Sequence, residues 1–249
     1  AEPSSFDLVA REAAALDELS TDPDIQPLIP GHRMIDGHLA VDSVEGAGVS
    51  FRPISNAEIL RVSRLLERRS EFAEPLEAVR RRFDTEHEGE PVRADAALQS
   101  RLARLRTAAR HFWDRLDPNE PVSLYSAHGD FTQWNVLSAA DGSARIIDWE
   151  MYGPKSRYFD LIHYHVAQYI LVRHLGATEI LAELSTIQTE TGDSEAWWRY
   201  VGHYFAIQSL FYASVYESQE VLHAQAFDQI DIWTEILETL NRNAGITAV

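Results

Sequence analysis

Leu8, Glu12, Leu16 and Leu19 recur at helical spacing, and this first stripe predicts a helix over Phe6–Ser20. The proline- and aspartate-rich stretch Thr21–Pro30 ends it. His32–Ile35 and His38–Val44 flank Asp36-Gly37, a dipeptide that accepts positive φ and so predicts a tight hairpin. Two arginine-rich helices are expected at Asn56–Phe72 and Glu74–Phe83, then a polar loop at Glu86–Val92 and a long amphipathic helix at Asp95–Leu116. Val122–Tyr125 reads as a short strand. Asn135–Ser138 and Ala144–Trp149 read as a second hairpin turning at Asp141-Gly142. Beyond Pro154 every periodic segment is helical: Asp160–Leu175, Thr178–Thr189, Glu195–Ser218 and Gln225–Asn243. The pattern is α+β, with a small helix-and-strand start and a large helical remainder interrupted by one short hairpin.

Composition narrows the function classes. With 249 residues and 45% hydrophobic content the chain can build one large domain or two small lobes. A net charge of −17 argues against nucleic acid as a partner, because such binding needs a positive surface to displace counterions. The longest apolar run, Val166 to Val172, is too short for a membrane span and is broken by Gln168. Ala1–Ser20 is acidic and lacks a hydrophobic centre, so no signal peptide is expected and the default compartment is the cytoplasm. Cysteine is absent, which excludes disulfides and thiolate metal sites. Charge is unevenly spread: Arg61 to Arg115 holds 13 arginines against 10 acids, while the rest is strongly acidic. Lys155 is the one lysine of the chain.

Candidate chemistry concentrates in Ser126-Ala127-His128-Gly129-Asp130-Phe131-Thr132-Gln133-Trp134-Asn135, a polar loop that runs into a strand. Thirteen residues after Asn135, the partner strand ends in Ile146-Ile147-Asp148-Trp149-Glu150. A hairpin would bring Asn135 and Asp148 together, and an amide oxygen beside a carboxylate suits Mg²⁺, which needs few protein ligands. Asp130, held nearby, would orient a hydroxyl. These are the parts of a phosphoryl-transfer site. Strand alternation would put Asp148 and Glu150 on one face, so that Glu150 reaches a second metal or the substrate.

His128-x-Asp130-x-x-x-x-Asn135 followed by Asp148-Trp149-Glu150 resembles the catalytic core of the aminoglycoside phosphotransferase and choline kinase family, small-molecule relatives of the protein kinases. Tyr158-Phe159-Asp160-Leu161 is similar to the family's helix start whose aspartate braces the catalytic loop. Val44-Glu45-Gly46 resembles the hinge that meets the adenine, and Arg11-Glu12 the helix whose glutamate pairs with the nucleotide lysine. The resemblance implies a protein-kinase-like α+β fold, with a truncated N-terminal lobe (residues 1–48) and a large, mainly helical C-terminal lobe (residues 49–249) carrying the short catalytic hairpin. It implies Asp130 as catalytic base, Asn135 and Asp148 as metal ligands, and His128 and Asp160 as loop support. Glu12, Val44 and Gly46 would lie at the nucleotide. Mg²⁺, ATP or another nucleoside triphosphate, and a small hydroxyl-bearing acceptor would be the partners. The family's glycine-rich loop and nucleotide lysine have no counterpart upstream of Phe6, and Lys155 follows the metal-binding aspartate.

Other readings compete. Asp130 and Asn135 in isolation would be turn residues capping backbone groups, and Asp160 is explained by a helix N-cap alone. Gly46-x-Gly48 is half a dinucleotide fingerprint, its third glycine replaced by Phe51. His163 and His165 diverge around a helix and make no zinc site. The arginine-rich stretch reads as a solvated face interleaved with Glu67, Glu71 and Glu77. The eight aromatics of Glu195–Ser218 read as core, while Glu217, Glu220, Asp228 and Asp231 would suit a cationic or polyhydroxyl acceptor. A non-catalytic, pseudokinase-like module that binds a small molecule is the alternative to the enzyme.

Overall fold

The computed structural model of the chain describes residues 5–42, 54–69, 71–85, 95–138, 143–193, 196–219 and 221–243. In chain order its elements are α1 (Ser5–Leu19), a 3₁₀ turn (Gln26–Leu28), β1 (His32–Ile35), β2 (His38–Val41), α2 (Asn56–Glu67), β3 (Glu71–Pro75), α3 (Leu76–Thr85) and α4 (Ala96–Asp114). There follow β4 (Pro121–Ala127), a 3₁₀ turn (Gln133–Asn135), β5 (Val136–Ser138), β6 (Ala144–Ile146), β7 (Gly153–Ser156), α5 (Phe159–Leu171), α6 (Ala177–Thr191), α7 (Trp197–Ser218) and α8 (Ala224–Arg242). Strand order is β3-β4-β7 in one sheet, with β1-β2 and β5-β6 as separate hairpins. Packing divides the chain into two units, Ala1–Phe72 with Leu124–Gln168, and Ala73–Ser123 with Tyr169–Val249. The lobe boundary expected at residue 48 falls outside the described residues. Among the described residues no helix is long and apolar enough to cross a membrane.

In the first unit, α1 buries Leu16 and Leu19 on the expected stripe. The β1–β2 hairpin packs on it, with His32 Nε2 2.9 Å from Asp17 Oδ1. Asp36 and Gly37 take φ of 50° and 81°, the two positive values that a tight hairpin turn of matching twist requires. A capping box starts α2: the Glu58 N–H donates to Ser55 Oγ and the Ser55 N–H to Glu58 Oε2. The β5–β6 hairpin pairs Val136 with Ile146 and Ser138 with Ala144; its expected turn at Asp141-Gly142 lies outside the described residues.

Two elements differ from the sequence expectation. The helix expected over Asn56–Phe72 stops at Glu67, and Glu71–Pro75 is a strand. Pro75 pushes the residue before it into extended backbone, so this stretch resists helix from its C-terminal side. The chain after Pro154 is not wholly helical, because β7 pairs antiparallel with β4, Leu124 opposite Ser156 and Ala127 opposite Gly153. Gly-Pro-Lys-Ser has little strand propensity of its own, and pairing with β4 supplies what propensity lacks.

The second unit is helical. α4 begins at Asp95, whose carboxylate accepts the Ala97 and Leu98 N–H groups at 2.9 and 3.3 Å. Its face Leu98, Leu102, Leu105, Ala109 and Phe112 is buried against α7 and α8. Gly202 of α7 lets that helix approach Phe112 closely, since a Cβ there would fall on the phenyl ring. The arginines of this region do not form a merely solvated face. Arg80 pairs with Asp114, Arg101 with Asp231, Arg104 with Glu238 and Arg106 with Glu217. Arg101, Arg104 and Arg106 of α4 find their acids on α7 and α8, while Arg80 pairs within the stretch and Arg81 with the interleaved Glu77.

Candidate active site

The loop after β4 is held by side chains. Asp160, in the first turn of α5 and 3% exposed, accepts the His128 N–H at 2.8 Å and the Gly129 N–H at 3.0 Å. The next N–H, that of Asp130, donates to His128 Nδ1 at 3.2 Å. Since Nδ1 accepts, the ring proton sits on Nε2 and is donated to the Ile147 carbonyl at 3.0 Å. His128 is fully buried between Phe131 and Trp149, and burial holds its pKa below the usual histidine range. Gly129 has φ +88°, and a Cβ there would strike the Met151 carbonyl oxygen, so the turn into Asp130 needs glycine for two reasons.

Asp130 and Asn135 interlock. The Asn135 amide nitrogen donates to the Asp130 carbonyl at 2.8 Å and to its carboxylate Oδ2 at 3.1 Å. Both neighbours are acceptors only, which fixes the nitrogen towards them and the amide oxygen away. The Asn135 carbonyl in turn accepts the Ile147 N–H at 3.0 Å, setting Asn135 beside the residue that precedes Asp148. His163 Nε2 lies 2.9 Å from the other Asp130 oxygen, Oδ1. Burial opposes ionisation of Asp130, but the hydrogen bond and charge of His163, with Asn135, hold its carboxyl below the ordinary aspartate range.

Asp148 takes φ +66°, a left-handed conformation that aspartate tolerates better than most residues. Strand β6 has ended at Ile146, so the expected alternation that placed Asp148 and Glu150 on one face does not apply. Burial, then the charges of Glu150, Asp130 and Glu12, push the Asp148 carboxyl up, and burial with Glu12 and Asp130 pushes Glu150 up. Glu12 of α1 accepts the Trp149 N–H at 3.3 Å, which ties α1 to this segment. Glu12, Asp130, Asn135, Asp148 and Glu150 thus fall in one unit: Asp130 and Asn135 on the loop that His128 and Asp160 support, Asp148 and Glu150 after β6, and Glu12 on α1. Val44 and Gly46 lie outside the described residues.

Among the described residues no three histidine, aspartate or glutamate side chains group closely enough to hold a metal by themselves. A divalent cation here would draw on the Asn135 amide oxygen with Asp148. The donor set fits: it is all oxygen, and burial together with the charges of Glu150, Asp130 and Glu12 disfavours the ionised Asp148 carboxylate, which a cation would offset. Two of the four acceptor candidates on the C-terminal helices are engaged by arginines, and Asp228 is exposed on α8. Glu217 takes both Arg106 nitrogens at 2.7 and 2.5 Å, Asp231 holds Arg101, and Glu220 is outside the described residues. His163 and His165 have separate partners, Asp130 and Asn56. His163 was not among the expected site residues; its signal was its place three residues after Asp160, on the same helix face.

The structure of choline kinase LicA from Streptococcus pneumoniae superposes with a TM-score of 0.54 at 17% identity, covering 95% of this chain and 84% of that one. LicA in complex with AMP gives 0.54 at 17% identity, over 93% and 79%. A choline/ethanolamine kinase family protein from Mesorhizobium loti gives 0.49 at 17% identity, over 96% and 78%. At such identities the likeness is of fold, and the fold is kinase-like. No curated protein sequence matches the chain. Residues 6–198 match the model of the phosphotransferase enzyme family (APH), and the chain belongs to that family.

Proposed function

We propose that this phosphotransferase moves the γ-phosphoryl group of ATP, or of another nucleoside triphosphate, to a hydroxyl of a small molecule in the cytoplasm. The observation that carries the reading is the interlock of Asp130 with Asn135 beside Asp148, on a loop whose backbone is gripped by Asp160. Asp130 would accept a hydrogen bond from the attacking hydroxyl, orient its oxygen towards phosphorus and take its proton as the new P–O bond forms and the bond from the γ-phosphorus to the bridging oxygen breaks, releasing the nucleoside diphosphate. A carboxyl held below the ordinary range stays ionised for that role. Asn135 and Asp148 would hold Mg²⁺, which when bound supplies charge stabilisation to the phosphate oxygens. The AMP complex of a structural neighbour supports a nucleotide as donor, and the neighbour's name makes choline the first acceptor to try.

The test is Mg·ATP turnover, with choline added, for Asp130→Asn and Asp148→Asn. Asparagine keeps the size of each side chain and tolerates the positive φ of residue 148. Turnover is expected to fall by about a hundredfold or more in each, with unchanged circular dichroism. Wild-type activity in both variants would end the kinase reading. Mg·ATP binding without transfer to any hydroxyl would favour the binding module instead.

A further inference from the structure

We infer that His163 is a positioning residue for Asp130, fixing the carboxylate that meets the acceptor; this rests on the proposed role of Asp130. Residues three apart on a helix are neighbours, so the face of α5 that carries Asp160 to the loop backbone also carries His163 to the loop's side chain. The two carboxylate oxygens of Asp130 are held separately, Oδ1 by His163 Nε2 at 2.9 Å and Oδ2 by Asn135 Nδ2 at 3.1 Å. A carboxylate clamped at both oxygens cannot rotate about its final bond, yet each oxygen keeps a second lone pair for an incoming hydroxyl.

Exposure divides the three groups in the way a positioned base requires. The His163 side chain is 8% exposed and Asn135 is 8% exposed, while the Asp130 side chain is 36% exposed. The anchors are buried, while the Asp130 side chain is partly exposed. The His163 ring is itself fixed, stacked on Phe159 with centroids 5.9 Å apart and planes 8° from parallel. Because Asp130 accepts at Oδ1, Nε2 must carry the ring proton.

The loop does not need His163 to keep its shape. The N–H groups of His128, Gly129 and Asp130 are satisfied by Asp160 and by the His128 ring, and the Asp130 carbonyl by Asn135. What His163 adds is the hold on Oδ1, which with the Asn135 bond to Oδ2 fixes the orientation of the Asp130 carboxylate. Its loss belongs in the rate of transfer, where misplacement of a reacting group is costly, rather than in nucleotide binding.

The test compares wild type, His163→Leu and His163→Gln, the last because a glutamine amide reaches about where Nε2 stands. Turnover is read as phosphate released from Mg·ATP alone and as transfer with choline added. The expected result is a kcat about tenfold to a hundredfold lower in His163→Leu at unchanged KM for Mg·ATP, with recovery to within about threefold in His163→Gln. Unchanged kcat in His163→Leu overturns the inference, as does a glutamine variant no better than leucine at equal Tm. A second measurement is independent of turnover: ¹⁵N-histidine NMR of wild type against Asp130→Asn, in which the His163 Nε2 signal should move. If wild type neither releases phosphate nor phosphorylates choline, the proposed kinase activity on these probes fails, and the NMR comparison decides the His163 contact on its own. A His163 signal indifferent to Asp130→Asn then overturns it.

Discussion

At position 129 a single missing Cβ decides whether the turn into Asp130 closes. Gly129→Ala would impose a positive φ on an L side chain and drive its methyl into the Met151 carbonyl, so both backbone strain and displacement follow. A loss of about 2 kcal/mol or more in denaturant unfolding, with activity reduced further than stability, is the expected outcome. Asp160 acts at the same scale by a different force. Asp160→Ala leaves two buried N–H groups without an acceptor, a cost of about 3 kcal/mol or more, whereas Asp160→Asn keeps one acceptor oxygen and should fall between. Equal stability of Asp160→Ala and wild type in urea would contradict this assignment. The motif of His128, Asp130, Asn135 and Asp148 was legible because its residues stand at fixed short spacings along the chain. The positive φ of Asp148 and the partner of His163 were not, because neither is a property of local sequence.

At the scale of elements, helices were the legible part, since apolar periodicity and caps such as Asp95 are written in consecutive residues. The strands β3 and β7 were missed for the converse reason: their partner is β4, which is remote from β7 in sequence. The arginine-rich stretch shows the same limit. From composition it was a charged face, but its arginines reach across to α7 and α8, where the acids are. The Arg106–Glu217 pair is the one to test, with side chains only 22% and 13% exposed and two hydrogen bonds. Arg106→Ala or Glu217→Ala should each cost about 2 kcal/mol because the partner is left partly buried and uncompensated. The more open Arg104–Glu238 pair should contribute less than about 1 kcal/mol. A double-mutant cycle at each pair checks the difference, and equal coupling energies would refute it.

The second unit as a whole should be acid-sensitive through His203. This ring is 3% exposed, set edge-on against Phe112 and Trp113, and burial, with Arg199 nearby, pushes its pKa down to about 3. Its Nδ1 is buried with no hydrogen-bond partner among the described residues. The fold therefore holds the ring neutral, while the unfolded chain protonates it near pH 6.5. The resulting stability is fully present above that value and is lost as pH falls towards 3, amounting to about 2 kcal/mol by pH 5. His203→Phe removes the group and should flatten that part of the stability–pH curve; an unaltered slope in the variant would exclude His203 as its source. Over the whole chain, ligand linkage gives a further check. Mg·ATP at about a hundred times its Kd should raise unfolding free energy by about 2.7 kcal/mol in wild type. Asp148→Asn should lose most of that gain.

The α+β class, most of the helices and the family resemblance rest on periodicity, turn dipeptides and motif spacing, all of which are short-range signals carried by neighbouring residues. The His163 side of the clamp on Asp130, the bidentate grip of Asp160, the strands flanking β4 and the arginine ties between helices depend on residues tens of positions apart. Chain entropy leaves such separations free until packing closes them, and only the folded structure determines which of the many available partners each buried polar group meets.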